Sequence, residues 1–164
     1  MKARTIIATM MATAMLSSAC SKSPEVHIFK PTDVEDWKRQ EAIRFSLPPV
    51  EGDTLYSLDV EVRINRRYPY QDLWFLVASS TARTPNKKNS AASLPETCCD
   101  TLRFTITDAD GNFTGKGRDL LTYTQSLPHP LRLSSTDTTH ITISHLMDRA
   151  TIQGVSDIGI HTQP

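Results

Sequence analysis

Residues 58–64 have the sequence L-D-V-E-V-R-I, in which apolar and charged side chains alternate without a break. A period of two is typical of a β-strand that buries one face, and it does not fit the 3.6-residue period of an α-helix. The segment therefore predicts a strand whose aliphatic side chains enter a core and whose charged side chains face solvent.

More strands are predicted further along the chain. Residues 102–107 (L-R-F-T-I-T) and 141–144 (I-T-I-S) also alternate, and residues 158–160 (I-G-I) repeat the pattern near the end. Residues 73–78 (L-W-F-L-V-A) are instead continuously apolar, which predicts a central strand covered on both faces. The core residues predicted from these patterns are Val60, Val62, Trp74, Leu76, Phe104, Ile106, Ile143 and Ile158.

The segments between these strands predict turns and loops. Asp110-Gly111 suits the positive φ angles of a hairpin turn, with Phe113 opening the return strand. The interval 79–97 is long and polar, and we expect a mobile loop there. Apart from a turn around residues 33–39, no segment has a convincing helical pattern. With ten prolines in the chain, these features predict an all-β fold, an antiparallel β-sandwich of about seven or eight strands.

The N-terminus has the features of a bacterial lipoprotein signal. Lys2 and Arg4 precede an uncharged apolar run at residues 6–16, which is too short for a transmembrane helix, and small residues then lead to Cys20. The alternative is an ordinary cleaved signal with a chance cysteine, since Leu16 lies one position further from Cys20 than in the usual motif. We expect a signal at residues 1–19, a lipid anchor and tether at 20–30, and the sandwich domain at 31–164.

Composition limits the partners and cofactors. Lysine plus arginine number 18, as do aspartate plus glutamate, so there is no basic field to attract nucleic acid. Besides Cys20, the cysteines are the adjacent Cys98 and Cys99, which form either a strained disulfide or two free loop thiols. Neither has further ligands at the spacing of a zinc site, and we expect no metal or other cofactor.

The candidate chemistry is sparse. Asp108, Asp110 and Asn112 occupy alternate positions, as in a calcium-binding EF-hand loop, but Phe113 stands where that loop needs glycine and Asp119 where it needs glutamate. A plain hairpin turn is therefore favoured over a calcium site. The five histidines are scattered, as surface or strand positions would be: His27, His129, His140, His145 and His161. No serine lies in a hydrolase motif, and we expect no enzyme.

Several segments, in the same order along the chain, carry a resemblance to a known family. They are Trp37 with A-I-R-F at 42–45, V-R-I-N at 62–65, Y-P-Y-Q-D-L-W at 68–74, D-T-L-R-F-T-I-T-D-A-D-G-N-F-T-G-K-G at 100–117 and M-D-R-A-T-I-Q-G-V-S-D-I-G-I at 147–160. The chain resembles the GldH family of gliding-motility-associated lipoproteins from Bacteroidetes. It departs from the family pattern at Asp148, where arginine is usual, and at Phe113, where tryptophan is common.

The resemblance implies a non-enzymatic envelope lipoprotein that acts through protein contacts in the gliding or cell-envelope machinery. The aromatic residues of the matching segments either build the fold or form an exposed patch that binds a partner or a glycan. These residues are Tyr68, Tyr70, Trp74 and Phe113. The patch interpretation keeps open an alternative function, a carbohydrate- or peptidoglycan-binding module of the envelope. A hydrolase is the least favoured class.

The residues after Cys20 bear on location. The sequence S-K-S-P at 21–24 lacks the acidic pair typical of lipoproteins displayed on the cell surface in Bacteroidetes. It also lacks the aspartate directly after the cysteine that favours retention in the inner membrane of enterobacteria. We therefore expect the lipid anchor to lie in the outer membrane, with the domain facing the periplasm.

Lipidation of Cys20 can be tested directly. Metabolic labelling with palmitate should mark the wild-type protein and leave Cys20→Ser unmarked, because the predicted acceptor is that one thiol. Labelling of both proteins, or of neither, contradicts the prediction.

Overall fold

The computed structural model describes residues 25–50, 54–81 and 96–164, which contain eleven β-strands and no helix. In chain order the strands are β1 (Val26–Pro31), β2 (Trp37–Lys38), β3 (Ile43–Leu47), β4 (Thr54–Asn65), β5 (Asp72–Thr81), β6 (Glu96–Thr105), β7 (Leu120–Ser126), β8 (Leu131–Leu133), β9 (Thr139–His145), β10 (Thr151–Ile152) and β11 (Val155–Gln163). The predicted signal, Cys20 and the interval 82–95 of the predicted long loop lie outside the described residues.

The strands form two main antiparallel sheets that pack together as a sandwich. The first sheet has the order β1-β11-β4-β7, with β8 pairing to the beginning of β4. The second has the order β3-β9-β5-β6, and β2 pairs with β10 in a separate two-stranded ribbon. Eight strands have five or more residues, in agreement with the predicted sandwich. The other three have two or three residues, too few to show a period.

Alternating side chains of β4 and β5 build the centre of the core. Leu58, Val60, Val62 and Ile64 of β4 are fully buried, as the period of two predicts. From the second sheet, Leu73, Phe75 and Val77 of β5 are buried in the same cluster. The predicted core residues that are confirmed as buried are Val60, Val62, Phe104, Ile106, Ile143 and Ile158.

The prediction for residues 73–78 is half right. β5 is a central strand, since it pairs with β6 on one side and β9 on the other, but only one of its faces is covered. Trp74 is 40 % exposed and Leu76 is half-buried, so neither is a core residue as predicted. A two-layer sandwich has no third layer over its outer faces, and apolar side chains pointing outward there remain in contact with water.

The predicted loop 79–97 is shorter than expected. β5 continues to Thr81 and β6 begins at Glu96, because the ladder between these strands extends through polar residues. Cys98 and Cys99 therefore lie on a strand and not in a loop, and both are exposed free thiols. Neighbouring side chains of a strand point to opposite faces, so the two sulfur atoms face apart.

The turn at residues 108–112 is confirmed, but its return strand is not. Gly111 has a φ of +81°, and the Asp108 carboxylate accepts hydrogen bonds from the backbone N–H groups of Asp110 and Asn112. Phe113 forms only a single bridge, to Thr107, before the chain leaves the ladder. Residues 34–36 likewise form a turn that leads into β2 and not a helix.

The strand directions divide the sandwich into two ends. We call the end at which β1 begins the N-terminal end, where Val26 pairs with Thr162, and the opposite end the far end. Four loops leave the far end: 32–42 after β1, 66–71 after β4, 106–119 after β6 and 146–154 after β9, of which the first and the last contain β2 and β10. These far-end loops contain much of the sequence that carries the family resemblance, so segments distant in the chain meet there.

Backbone contacts join the far-end loops to one another. The N–H of Ile106 donates to the carbonyl of Gln71 at 2.8 Å, and the N–H of Asn65 donates to the carbonyl of Gly154 at 2.8 Å. Gly154 has a φ of +88°, and a Cβ there would lie 2.6 Å from the backbone nitrogen of Tyr68. Glycine is therefore required at this position for the close approach of two loops.

Phe104 provides a test of the core. Its side chain is 3 % exposed and its ring centroid lies 5.3 Å from that of Phe75, so Phe104→Ala should lower the free energy of unfolding by about 3–5 kcal/mol. Denaturant titration measures this loss. The control Leu55→Ala removes a side chain that is 54 % exposed and should change stability by less than about 1 kcal/mol. A loss of only about 0.5 kcal/mol for Phe104→Ala would place its ring at the surface.

Candidate functional site

Tyr68 forms the floor of the candidate site and is a structural residue. It is 3 % exposed, and its hydroxyl donates a hydrogen bond to the backbone carbonyl of Asp72 at 2.9 Å. Burial raises the pKa of this hydroxyl, so it stays protonated as a donor. The ring of Tyr70 packs edge-on against that of Tyr68, with the ring centroids 5.6 Å apart. The orientation of Tyr70 is thus fixed by the core.

Tyr70 and Phe113 line one surface cleft of about 450 Å³ between two far-end loops. Both rings are half-buried and pack against the core with one side. Arg66, Gln71 and Asp108 supply polar side chains to the same cleft. The guanidinium carbon of Arg66 lies 5.7 Å from the ring centroid of Phe113. We call this the Tyr70–Phe113 cleft.

Asp108 is occupied by its own turn. Its Oδ1 accepts hydrogen bonds from the N–H groups of Asn112 and Asp110, and its Oδ2 accepts one from the side-chain amide of Asn112. Hydrogen bonds from the backbone and side chain of Asn112 lower the pKa of this carboxyl. Asp108 is therefore a carboxylate whose acceptor positions hold the loop together. Within the described ranges, no three His, Cys, Asp or Glu side chains are arranged to hold a metal ion.

Trp74 lies apart from the other three predicted aromatic residues. It projects from the outer face of β5, where the guanidinium of Arg103 lies 5.6 Å from its ring centroid. Two hydrogen bonds to Asp72, of 3.0 and 2.9 Å, hold that guanidinium. Leu146, 43 % exposed, donates its N–H to the carbonyl of Trp74. The structure thus brings together Tyr68, Tyr70 and Phe113, and it does not bring Trp74 to them.

Sequence reasoning missed the polar partners of these rings. Arg66 and Gln71 adjoin the aromatic motif at residues 68–74, yet an arginine or glutamine in a polar loop has no pattern that distinguishes it. Their role depends on Phe113, which the fold brings to Arg66 across the far end. The pairing of β5 with β6 creates this proximity, and no local sequence signal could reveal it.

A second cleft, at the N-terminal end, contains a thiol but no activated nucleophile. Cys98, Asp100 and His129 line it, with the Sγ of Cys98 3.8 Å from an oxygen of Asp100 and the Nδ1 of His129 3.6 Å from the other. Desolvation and the Asp100 carboxylate raise the pKa of the Cys98 thiol. A reactive cysteine needs the opposite shift.

The comparisons with known proteins identify the family. The family model described as GldH lipoprotein matches residues 26–162. The chain belongs to the GldH lipoprotein family. The resemblance inferred from the motifs is thereby confirmed, and gliding motility is the process for which the family is named. No helix of the described residues is long and apolar enough to cross a membrane.

A curated relative, the gliding motility lipoprotein GldH of Flavobacterium johnsoniae, is 27 % identical over 104 residues. The match covers 63 % of this chain and 58 % of that relative, which is less than two thirds of its length.

Two solved structures are more distant. The Eiger TNF structure from S. frugiperda has 10 % identity and a TM-score of 0.38, with 88 % of this chain and 94 % of that chain covered. Dimeric latent PorU from Porphyromonas gingivalis has 12 % identity and a TM-score of 0.35, with 91 % and 13 % covered. TM-scores this low carry no argument about function.

His145, the last residue of β9, is a buried polar residue that the sequence did not reveal. Its side chain is fully buried, and its ring centroid lies 5.2 Å from that of Trp37. Neither ring nitrogen has a hydrogen-bond partner in the described part of the chain. Burial lowers the pKa of this histidine, the backbone of Trp37 partly offsets that shift, and Arg39 adds a smaller lowering, so the neutral ring is favoured at neutral pH.

This burial predicts a loss of stability in acid. As pH falls below the ordinary histidine value of about 6.5, the unfolded chain binds a proton that folded His145 resists. The contribution of the neutral His145 ring to the free energy of unfolding is thus complete above that pH, and it is lost as the pH falls below that value.

Denaturant titrations at about pH 7.5 and about pH 5 measure this loss. His145→Leu should lose less stability between the two conditions than the wild type. His140→Leu, which changes an exposed histidine of the same strand, should lose as much as the wild type. An equal loss in all three proteins would contradict the prediction.

Proposed function

We propose that the chain is a non-enzymatic envelope lipoprotein, anchored through Cys20, that acts through protein contacts in the gliding or cell-envelope machinery. Its membership of the GldH lipoprotein family supports this function. The observation that carries the proposal is the meeting of four loops at the far end, away from the start of β1. These loops present a continuous surface of backbone and side chains that a protein partner can contact.

The position of the anchor supports the proposal that partners bind at the far end. Residues 26–30 of the expected tether lie in β1, which pairs with β11, so the tether is the shorter segment 20–25. This segment can extend at most about 20 Å, so β1 begins near the membrane that holds the lipid. The strand then runs away from that point for six residues, or about 20 Å. The far-end loops therefore lie at the end of the domain opposite the tether, where a partner can reach them without entering the lipid surface.

We place the anchor in the outer membrane with the domain facing the periplasm. The sequence S-K-S-P after Cys20 supports this location, because it lacks the acidic residues of both competing sorting signals. One acyl chain gives only marginal membrane binding, whereas a bacterial lipoprotein cysteine carries several, so this anchor would hold the domain at the membrane stably.

The side chains that could take part in catalysis are engaged in hydrogen bonds or in the core, or have an unfavourable pKa, which supports a non-catalytic role. Asp108 accepts hydrogen bonds from its own turn, Tyr68 is committed to the core, and the Cys98 thiol has a raised pKa. A catalytic base or nucleophile needs an open position and the reverse pKa shift. We therefore propose that the far end binds a partner and does not catalyse a reaction.

A second candidate function is a carbohydrate- or peptidoglycan-binding module. The Tyr70–Phe113 cleft favours it, since two partly exposed rings there adjoin polar side chains. Protein contacts and glycan binding are compatible, because the cleft occupies only part of the far end.

Site-specific photo-crosslinking in intact cells tests the protein contacts. A photoreactive residue at Asp110, exposed on a far-end loop, should form discrete adducts with an envelope protein. The matched position Gln163 is exposed at the N-terminal end and should form none. Adducts of equal yield from both positions, or an absence of adducts from Asp110 and from Arg149 on the neighbouring loop, would contradict the proposal.

A further inference from the structure

The Tyr70–Phe113 cleft has a floor that cannot accept an inserted side chain. Tyr68 fills the space beneath the cleft and is 3 % exposed, and Tyr70 packs edge-on against it. The two half-buried rings that line the cleft therefore leave apolar surface at its wall, above a floor that the buried Tyr68 ring closes. Protein hot spots usually anchor a bulky side chain in such a pocket, whereas a sugar ring needs only a flat surface for its C–H groups.

The cleft contains hydrogen-bond donors that the protein itself does not use. Asp108 already accepts three hydrogen bonds within its turn. In the described part of the chain, the side chains of Gln71 and Tyr70 have no hydrogen-bond partner, and Arg66 has no carboxylate partner. A ligand that brings an acceptor to Gln71 and an anionic group to Arg66 matches these donors, whereas its uncharged groups must face the Asp108 carboxylate.

Arg66 differs in this respect from the arginine beside it. Arg67 makes two hydrogen bonds to the carboxylate of Glu35, and that pair joins two loops. The Arg66 guanidinium lies 5.7 Å from the ring centroid of Phe113, close to the limit of about 6 Å for cation–π attraction, and interacts electrostatically with the Tyr123 hydroxyl. It can therefore turn toward a ligand carboxylate and bind it with two parallel hydrogen bonds.

We propose that the Tyr70–Phe113 cleft binds a carboxylate-bearing sugar ring, such as a uronic acid or a muramic acid unit. The apolar face of the ring packs on the two aromatic side chains, the carboxylate pairs with Arg66, and Gln71 donates to a ring oxygen or hydroxyl. The cleft volume of about 450 Å³ is typical of small-ligand sites. The proposal rests on the second candidate function named above, whose ligand class it specifies, and it does not require the protein contacts at the rest of the far end.

Titration calorimetry on the full chain in detergent micelles tests the proposal. The probes are tetragalacturonate, a hyaluronan tetrasaccharide and a disaccharide that contains N-acetylmuramic acid, each paired with its methyl ester. The ester keeps the ring faces and removes the charge. At least one acid should bind about tenfold more tightly than its ester, because only the acid forms the charged pair with Arg66.

Three variants separate the contribution of the charged pair with Arg66 from that of stacking on Phe113. Arg66→Gln should bind the acid as weakly as the ester, whereas the matched control Arg67→Gln should keep the full preference of the wild type. Phe113→Leu should weaken the binding of acid and ester alike, because it removes the stacking face. Thermal unfolding of each variant verifies that it is folded, and Arg66→Gln, at an exposed position, should unfold at the wild-type temperature.

Several outcomes would overturn the proposal. Equal binding of acid and ester would remove the role of Arg66, and an equal loss in both arginine variants would indicate nonspecific attraction. The absence of binding by every acid would exclude the site. An acidic peptide that contains phenylalanine and binds more tightly than all three acids would assign the cleft to a protein partner.

Discussion

The burial of two alternating strand faces against each other is the interaction on which the rest of the molecule depends. The inner side chains of β4 and β5 meet between the sheets, and each sheet has only this one covered face. Apolar burial at about 25 cal/mol per Å² makes this layer the main source of stability. Every other feature follows from the two-layer arrangement: outer faces in water, and loops gathered at the two ends.

The sequence predicted the features that depend on local periodicity. Residues 58–64 and 102–106 alternate because one face is buried, and their burial could be predicted directly. Trp74 and Leu76 were wrongly assigned to the core because a continuous apolar run does not indicate which face of the strand is covered. The ladder between β5 and β6 likewise passes through Ser79 and Ser80, where neither hydrophobic pattern nor β-propensity indicated a strand.

The candidate site could be predicted only in part. The four aromatic residues were identified as either structural or exposed, and the structure divides them: Tyr68 is structural, Tyr70 and Phe113 are half-buried, and Trp74 is exposed elsewhere. The decisive partner, Arg66, could not be found because its proximity to Phe113 depends on how two sheets are connected. Long-range register of this kind is a property of the whole fold and not of a sequence window.

The pairing of β1 has a mechanical consequence. β1 is an edge strand, and six consecutive residue pairs join it to β11. A force that holds the chain through the residues before Val26 and pulls on the far end acts parallel to these strands. The hydrogen bonds between the strands are perpendicular to that direction, so the load shears all of them at once and does not peel them apart one by one. The pairing of β1 with β11 therefore places the hydrogen bonds in shear, the loading direction in which a β-ladder resists tension well.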